Sequence, residues 1–446
     1  MLTDAENNLL CRVEGEAPMG QMMRRHWLPA CMIEEVRDAD GTPVRVKLLG
    51  EDLVAFRNTD GVVGVVGEFC PHRRASLVYG RNEECGLRCL YHGWKVDVEG
   101  NVVEMASEPP ESRMAEKVKH TAYPTREAGG FIWVYMGPAE EMPAFQAPAF
   151  APTPDTKVSI VKMMVPTNWA QILEGAIDSA HSSSLHSTDM PPARVNSNTV
   201  SGDGLWQRPS TDKAPRLQVQ LTSYGLRYAA IRRPIFNAAT HNYIRTTVFV
   251  APITVLIPPN NKYSLVQLSA PMDDTCTMFY FVAWSDTAAG MGDGIDQEAF
   301  RKLCGAQVGI DVDQDYRKVR TRENNYKQDR KAMKLGDFTG IRGIPNQDMA
   351  MWETMGPIAD RSNERLGASD VAIVQFRRLM LDAVKRFQRG EPAIGTGTQS
   401  LPHVMLRSFE GVVPKEANWR TLGASPEELA SYPGEEIASP IPTAAE

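Results

Sequence analysis

The chain has little of what would place it outside the ordinary globular enzymes. Its 446 residues contain seven cysteines, an odd number scattered along the sequence, so no disulfide framework organises the fold. No apolar run is long enough to cross a bilayer, and the opening MLTDAENNLLCRVEGE has no basic-then-apolar signal region. A cytoplasmic protein with no membrane partner is the expectation. Basic residues are outnumbered, 48 Lys and Arg against 55 Asp and Glu, and a formal net charge of -7 argues against a nucleic-acid partner. There is no internal repeat and no nucleotide fingerprint. The nearest glycine cluster, Gly290-Met291-Gly292-Asp293-Gly294, lacks the required spacing before a helix.

What is present is a pair of short motifs. C-P-H ends at His72, and after sixteen intervening residues C-L-Y-H-G-W runs from Cys89 to Trp94. Such a donor set suits a Rieske [2Fe–2S] cluster, in which two thiolates hold one iron and two imidazoles the other. A tetrahedral zinc site also uses thiolate and imidazole. Zinc fingers, however, put both cysteines in one knuckle and both histidines on a helix. Here each loop supplies one of each, and Gly93 permits the tight turn that brings backbone N–H groups to the cluster sulfurs. Cys70, His72, Cys89 and His92 are read as cluster ligands. Cys85, four residues before Cys89, is read as structural.

A second constellation comprises Asn168, Trp169, Glu174, Asp178, His181 and His186. Glu174, Asp178 and His181 are spaced to share one helical face. The five-residue step to His186 turns its ring ~140° away on a straight helix, so the helix must bulge or end near Ser182-Ser183-Ser184 for both rings to meet one metal. Two imidazoles and a carboxylate would form a facial triad with open positions for O2 at Fe(II). The rest of the chain must supply the carboxylate. Asp348 sits in an apolar, proline-flanked stretch and is the choice over Asp360, which lies beside Arg361; helix N-capping is the other role open to Asp348. The cluster implies an electron acceptor, which a mononuclear iron provides.

Length and pattern divide the chain into three parts. Residues 1–40 form an N-terminal helical segment packing on the body, with a short helix over 18–28 between Pro18 and Pro29. Residues 41–145 are rich in Val, Ile, Phe, Tyr and Trp runs separated by Gly turns, an all-β domain that holds the cluster loops. The proline-rich 143–155 reads as a linker or domain edge. Residues 146–446 are the catalytic iron domain, with a helix over 168–181, strands over 216–286 and long helical patterns over 295–335 and 369–390. The final ten residues are expected to fray.

Taken together, C-P-H-R…C-L-Y-H-G-W, D-S-A-H-S-S-S-L-H and D-M-A-M-W-E-T resemble the catalytic α subunits of the Rieske non-haem iron aromatic-ring hydroxylating oxygenases. M-G-Q-M-M-R-R-H-W-L-P-A and N-Q-D-M-A-M-W-E-T-M-G-P-I-A-D-R-S-N-E-R-L-G narrow the resemblance to members acting on phthalate and other carboxylated, sulfonated or ether-linked aromatics. The resemblance implies an α+β fold, a Rieske domain followed by a helix-grip catalytic domain. It assigns Cys70 and Cys89 to one cluster iron, His72 and His92 to the other, and His181, His186 and Asp348 to the catalytic iron. Asp178 would bridge an iron-ligand histidine to His92 of a neighbouring subunit, in a trimer or a pair of stacked trimers. A separate NADH-linked reductase would supply electrons.

The activity so implied is cis-dihydroxylation of phthalate at positions 4,5 with O2. The alternative is a monooxygenase, O-demethylase or dioxygenase on another aromatic acid. A dicarboxylate needs cations in an otherwise apolar pocket. Arg245, in the strand-like H-N-Y-I-R-T-T-V-F-V, and Arg208, on a loop, are the candidates; each is at least as readable as a solvent-facing or salt-bridged arginine. Ser179, next to Asp178, is a third pocket candidate.

Overall fold

The computed structural model describes residues 1–193, 205–286, 291–397 and 401–430. The expected fraying of the last ten residues and Gly290 of the glycine cluster lie outside them. The fold is α+β, and the chain divides into two compact units. One comprises Met1–Cys11, Gln146–Ala270 and Thr275–Glu446; the other comprises Arg12–Phe145 with Pro271–Asp274. Residues 1–40 are therefore not one segment, because the first eleven residues belong to the catalytic unit and the remainder to the cluster unit.

The cluster unit consists of small antiparallel sheets. Val44–Leu48, Glu51–Arg57, Val63–Gly67 and Ala122–Tyr123 form one, and Arg81–Glu83, Gly86–Arg88, Trp94–Val96 and Val102–Met105 form another. A third joins Trp27–Met32, Phe131–Tyr135 and Thr125–Ala128. The helix expected over 18–28 is shorter, Pro18–Met23, because the β-rich Trp27-Leu28-Pro29-Ala30-Cys31-Met32 pairs with Phe131–Tyr135 instead. Val54, Phe56, Val66, Leu77, Leu87 and Trp94 form the core, and Cys70 and Cys89 are part of it.

The catalytic unit is built on an eight-stranded antiparallel sheet. Its order is Lys157–Val165, Thr277–Ser285, Ser264–Pro271, Thr254–Ile257, His241–Val250, Gly225–Arg232 and Arg216–Thr222, with Phe409–Pro414 also pairing along His241–Val250. Four helices matter to the site: α1 (Asp4–Cys11), α2 (Trp169–Ile177), α3 (Ile344–Thr354) and α4 (Val371–Gln388). Val161, Met163, Phe279, Phe281 and Phe300 pack with Ile172 of α2 and with Met349 and Trp352 of α3. The long helix expected over 295–335 is two short ones, Gln297–Cys304 and Arg330–Lys334, the first stopped by Gly305 in the left-handed region at φ 64°. No helix among the described residues is long and apolar enough to cross a membrane.

Candidate metal centres and the arginine cavity

In the cluster unit, Cys70 and His72 lie on one loop and Cys89 and His92 on another. The thiols are buried, and the His72 and His92 ring centroids are 4.4 Å apart. Trp94 stacks on His72 at 4.6 Å with 10° between the planes, which fixes that ring. Gly93 has a φ of 76°, and a Cβ there would meet the Ala106 methyl at 2.9 Å, so the turn between His92 and Trp94 needs glycine. Burial pushes the Cys70 thiol up to about 11; a backbone N–H from His72 works against this, and Cys89 adds to it. A thiol so raised is held as a thiolate by a bound cation. His72 Nδ1 is buried and unpartnered. Two thiols and two imidazoles gathered on two loops, with an unpartnered ring nitrogen among them, fit a cluster. Cys85 is apart from them, its Sγ 3.0 Å from Asp60.

In the catalytic unit, α2 begins at Asn168, whose side-chain oxygen accepts from Ala170 N–H and whose amide donates to the Cys11 carbonyl. The helix stops at Ile177. Asp178 is extended (φ -73°, ψ 120°), and a separate helical turn follows over His181–Ser183. This break comes earlier than the Ser182–Ser184 position expected, and it brings the His181 and His186 Nε2 atoms to 3.2 Å. Glu174 does not share their site. It accepts from Arg361 and Arg377 inside the protein.

Asp348 reaches the two histidines from within α3, whose N-cap is Gly343, so capping is not its role. Its Oδ1 is 3.0 Å from His186 Nε2 and 3.5 Å from His181 Nε2. One donor atom from each of the three lies within 4.8 Å of the others, a spacing that suits a metal ion. The far side of each ring is also engaged. His181 Nδ1 faces Asp178 Oδ2 at 3.4 Å. His186 Nδ1 is 2.7 Å from Gln347 Oε1, and Gln347 Nε2 donates to Asp189 and to the Ile341 carbonyl, both at 2.9 Å. Both of those partners can only accept, so the amide orientation is fixed and His186 must donate from Nδ1, leaving Nε2 for a metal. Burial alone would raise the Asp178 carboxyl, but hydrogen bonding and charge from His181 and the N–H groups of Ala180 and His181 hold it below its usual range.

The triad opens on a cavity walled by Ser179, Trp206, Tyr228, Arg245, Phe279 and Phe281. A second cavity holds Arg208, Arg232 and Tyr243, and Arg245 lines both. Arg208 and Arg245 are indeed salt-bridged, and both to one buried carboxylate. Arg208 and Tyr243 hydrogen-bond to Glu410, and Arg245 Nε lies 3.4 Å from it. Burial opposes the charge on Glu410, yet Arg208 and Arg245 hold its carboxyl below the usual range. Sequence reasoning missed Glu410, Arg232 and Gln347. Glu410 sits opposite Arg245 across a strand pair joining distant parts of the chain, which leaves no local trace. An arginine closing the apolar Y-A-A-I-R run was the one available signal for Arg232.

Comparisons with known proteins agree with this geometry. The Rieske [2Fe-2S] domain family matches residues 26–122, and the family described as LigXa C-terminal domain like matches residues 134–439. The chain is 63% identical over 424 residues to a phthalate 4,5-dioxygenase oxygenase subunit of Pseudomonas putida, covering 95% of each. It is 34% identical to a 3-chlorobenzoate-3,4-dioxygenase oxygenase subunit of Comamonas testosteroni, covering 94% of this chain and 98% of that one. A carbazole-bound oxygenase in a ferredoxin complex of carbazole 1,9a-dioxygenase shares the fold at a TM-score of 0.54 and 20% identity, covering 85% of this chain and 95% of that one. The chain belongs to the Rieske non-haem iron aromatic-ring oxygenases, as an oxygenase subunit that uses a Rieske [2Fe–2S] cluster, a mononuclear iron and O2.

Proposed function

We propose that this chain is the terminal oxygenase component that cis-dihydroxylates phthalate at positions 4,5, with electrons delivered by a separate redox protein served by NADH. Cys70 and Cys89 would hold one cluster iron and His72 and His92 the other; His181, His186 and Asp348 would hold the mononuclear iron. When bound, these groups store electrons and activate O2; the remaining work is done by the chain. The observation that carries the substrate reading is Arg245, which lines both the metal-side cavity and the arginine cavity. Arg245 and Arg208 orient one substrate carboxylate by charge-assisted hydrogen bonds. Phe279, Phe281 and Trp206 receive the apolar ring and exclude water, with Ser179 at the ring's edge. Asp178 keeps His181 oriented and forms the path for electrons from His92 of a neighbouring subunit in a ring of subunits.

The high identity to a phthalate 4,5-dioxygenase oxygenase subunit supports the substrate, and the ferredoxin in the carbazole complex supports a separate electron donor. The test is a single turnover. The metal-loaded protein is reduced chemically and given O2 with phthalate, isophthalate or terephthalate, and products are identified by mass spectrometry. A 4,5-cis-dihydrodiol from phthalate is the expected result. A single inserted oxygen, or no product from phthalate, would move the chain to another aromatic acid or to monooxygenation.

A further inference from the structure

Arg232 closes the strand Gly225–Arg232, opposite Tyr243 and diagonal to Arg245 on the neighbouring strand. Arg208, Arg232 and Arg245 thus gather at one cavity, and among the described residues Glu410 is the one carboxylate paired with any of them. Arg208 and Arg245 both pair with it. Arg232 has no carboxylate within ion-pair distance among the described residues. It is 5% exposed, and its Nε has no hydrogen-bond partner. Nη2 donates to the Ser179 carbonyl at 2.7 Å, and the terminal nitrogens reach the Ser179 and Ser183 hydroxyls only at 3.4 Å.

A buried guanidinium without a counter-ion is costly. Burial, with the positive fields of Arg245 and Arg208 against weaker help from Tyr243 and Tyr228, lowers its pKa to about 10, so it stays charged at neutral pH. Among the described residues, three arginines against one glutamate leave two positive charges in excess. The cavity wall does not cancel them, since Asp212 there is paired with Arg233 and stands beside Lys213.

We propose that Arg232 is a specificity-determining residue, the cation kept for the second carboxylate of an aromatic dicarboxylate, and that it transmits occupancy of the cavity to the metal-bearing turn. The inference rests on the substrate reading above and deepens it. A dianion cancels both excess charges, whereas a monoanion leaves one. Transmission is through direct contacts. Arg232 holds the Ser179 carbonyl, one residue past Asp178, and the Ser183 hydroxyl, two residues past His181. A carboxylate that engages the guanidinium competes with these contacts and re-aims the segment carrying Asp178 and His181.

The test compares the metal-loaded protein with its Arg232→Gln and Arg232→Lys variants, each first checked for cluster absorbance and iron content. Equilibrium dialysis gives affinities for phthalate and benzoate, and turnover with a reductase gives product formed per O2 consumed. Arg232→Gln should weaken phthalate about tenfold or more and benzoate less than threefold, and lower the product per O2. Arg232→Lys should recover most of the phthalate affinity but not the product per O2, because it keeps the charge and loses the fork. If Arg232→Gln does not fold, Arg232→Lys decides alone, and unchanged product per O2 would overturn the proposal. A parent that prefers phthalate, with Arg232→Gln within twofold of it on both readouts, would overturn this proposal and leave the substrate reading intact. A parent that binds phthalate no better than benzoate would overturn both.

Discussion

At the scale of single residues, the two histidines of the triad are not equivalent. His181 is backed by a carboxylate and His186 by an amide. Gln347→Leu removes the acceptor that fixes the His186 tautomer, and outer partners of metal ligands are worth roughly 10–100-fold in metal affinity. We expect iron content after dialysis to fall accordingly while cluster absorbance stays, and full iron retention would rule out this role. Asp178→Asn keeps an acceptor near His181 but removes the charge. It should retain both metals and slow cluster reoxidation during turnover by roughly 10–100-fold, read by stopped-flow absorbance. That Cys70, His72, Cys89 and His92 gather in one place, and His181 and His186 in another, was legible in the sequence because each set is local. Gln347 was not, since a glutamine next to a candidate ligand carries no pattern until the helix and the 181–186 turn face each other.

At the scale of elements, α2 was legible as a helix over 168–181, but its end was not. Glu174, Asp178 and His181 have helical spacing, and only the structure separates them. Glu174 instead joins α2 to α4 through Arg377 and to Arg361 beyond α3. Close packing completes the join. Gly175 of α2 lies against Trp352 of α3, where a Cβ would come within 2.2 Å of the indole nitrogen. Burial opposes the Glu174 charge, but Arg361 and Arg377 prevail and hold its carboxyl below the ordinary value of 4.5. A group lowered in the folded state stabilises it above the unfolded pKa, and that contribution is lost as pH falls through the folded value. Thermal stability of the parent should therefore drop on acidification below about pH 4.5. Glu174→Gln should cost ~3–5 kcal/mol at neutral pH by leaving two buried arginines unpaired, and should flatten that acid limb. A variant as stable as the parent in a denaturant titration would show that the network carries no stability.

At the scale of the whole molecule, the two candidate metal centres belong to different units with separate cores, Cys70 and Cys89 in one and the residues beside His181, His186 and Asp348 in the other. Removing one metal should leave the other. A ferrous chelator is expected to abolish turnover with the cluster's visible spectrum unchanged, and Fe(II) should restore activity; bleaching in step with activity would contradict separate sites. The α+β class and the β character of the cluster unit were visible as residue patterns. The division at Cys11 was not, because contacts between residues far apart in sequence decide it.

That division also bears on how the chain is made. The Cys11 carbonyl accepts from Asn168 and Trp169, so α1 is complete only when a partner 157 residues later has been synthesised. At ordinary ribosomal rates this is a wait of roughly 10–30 s, during which the cluster unit's strands emerge between the two halves of the catalytic unit. The first eleven residues are thus a tether held in reserve. A bulky fusion at this end would burden the nascent protein at the step where the helix leading to the iron site is secured.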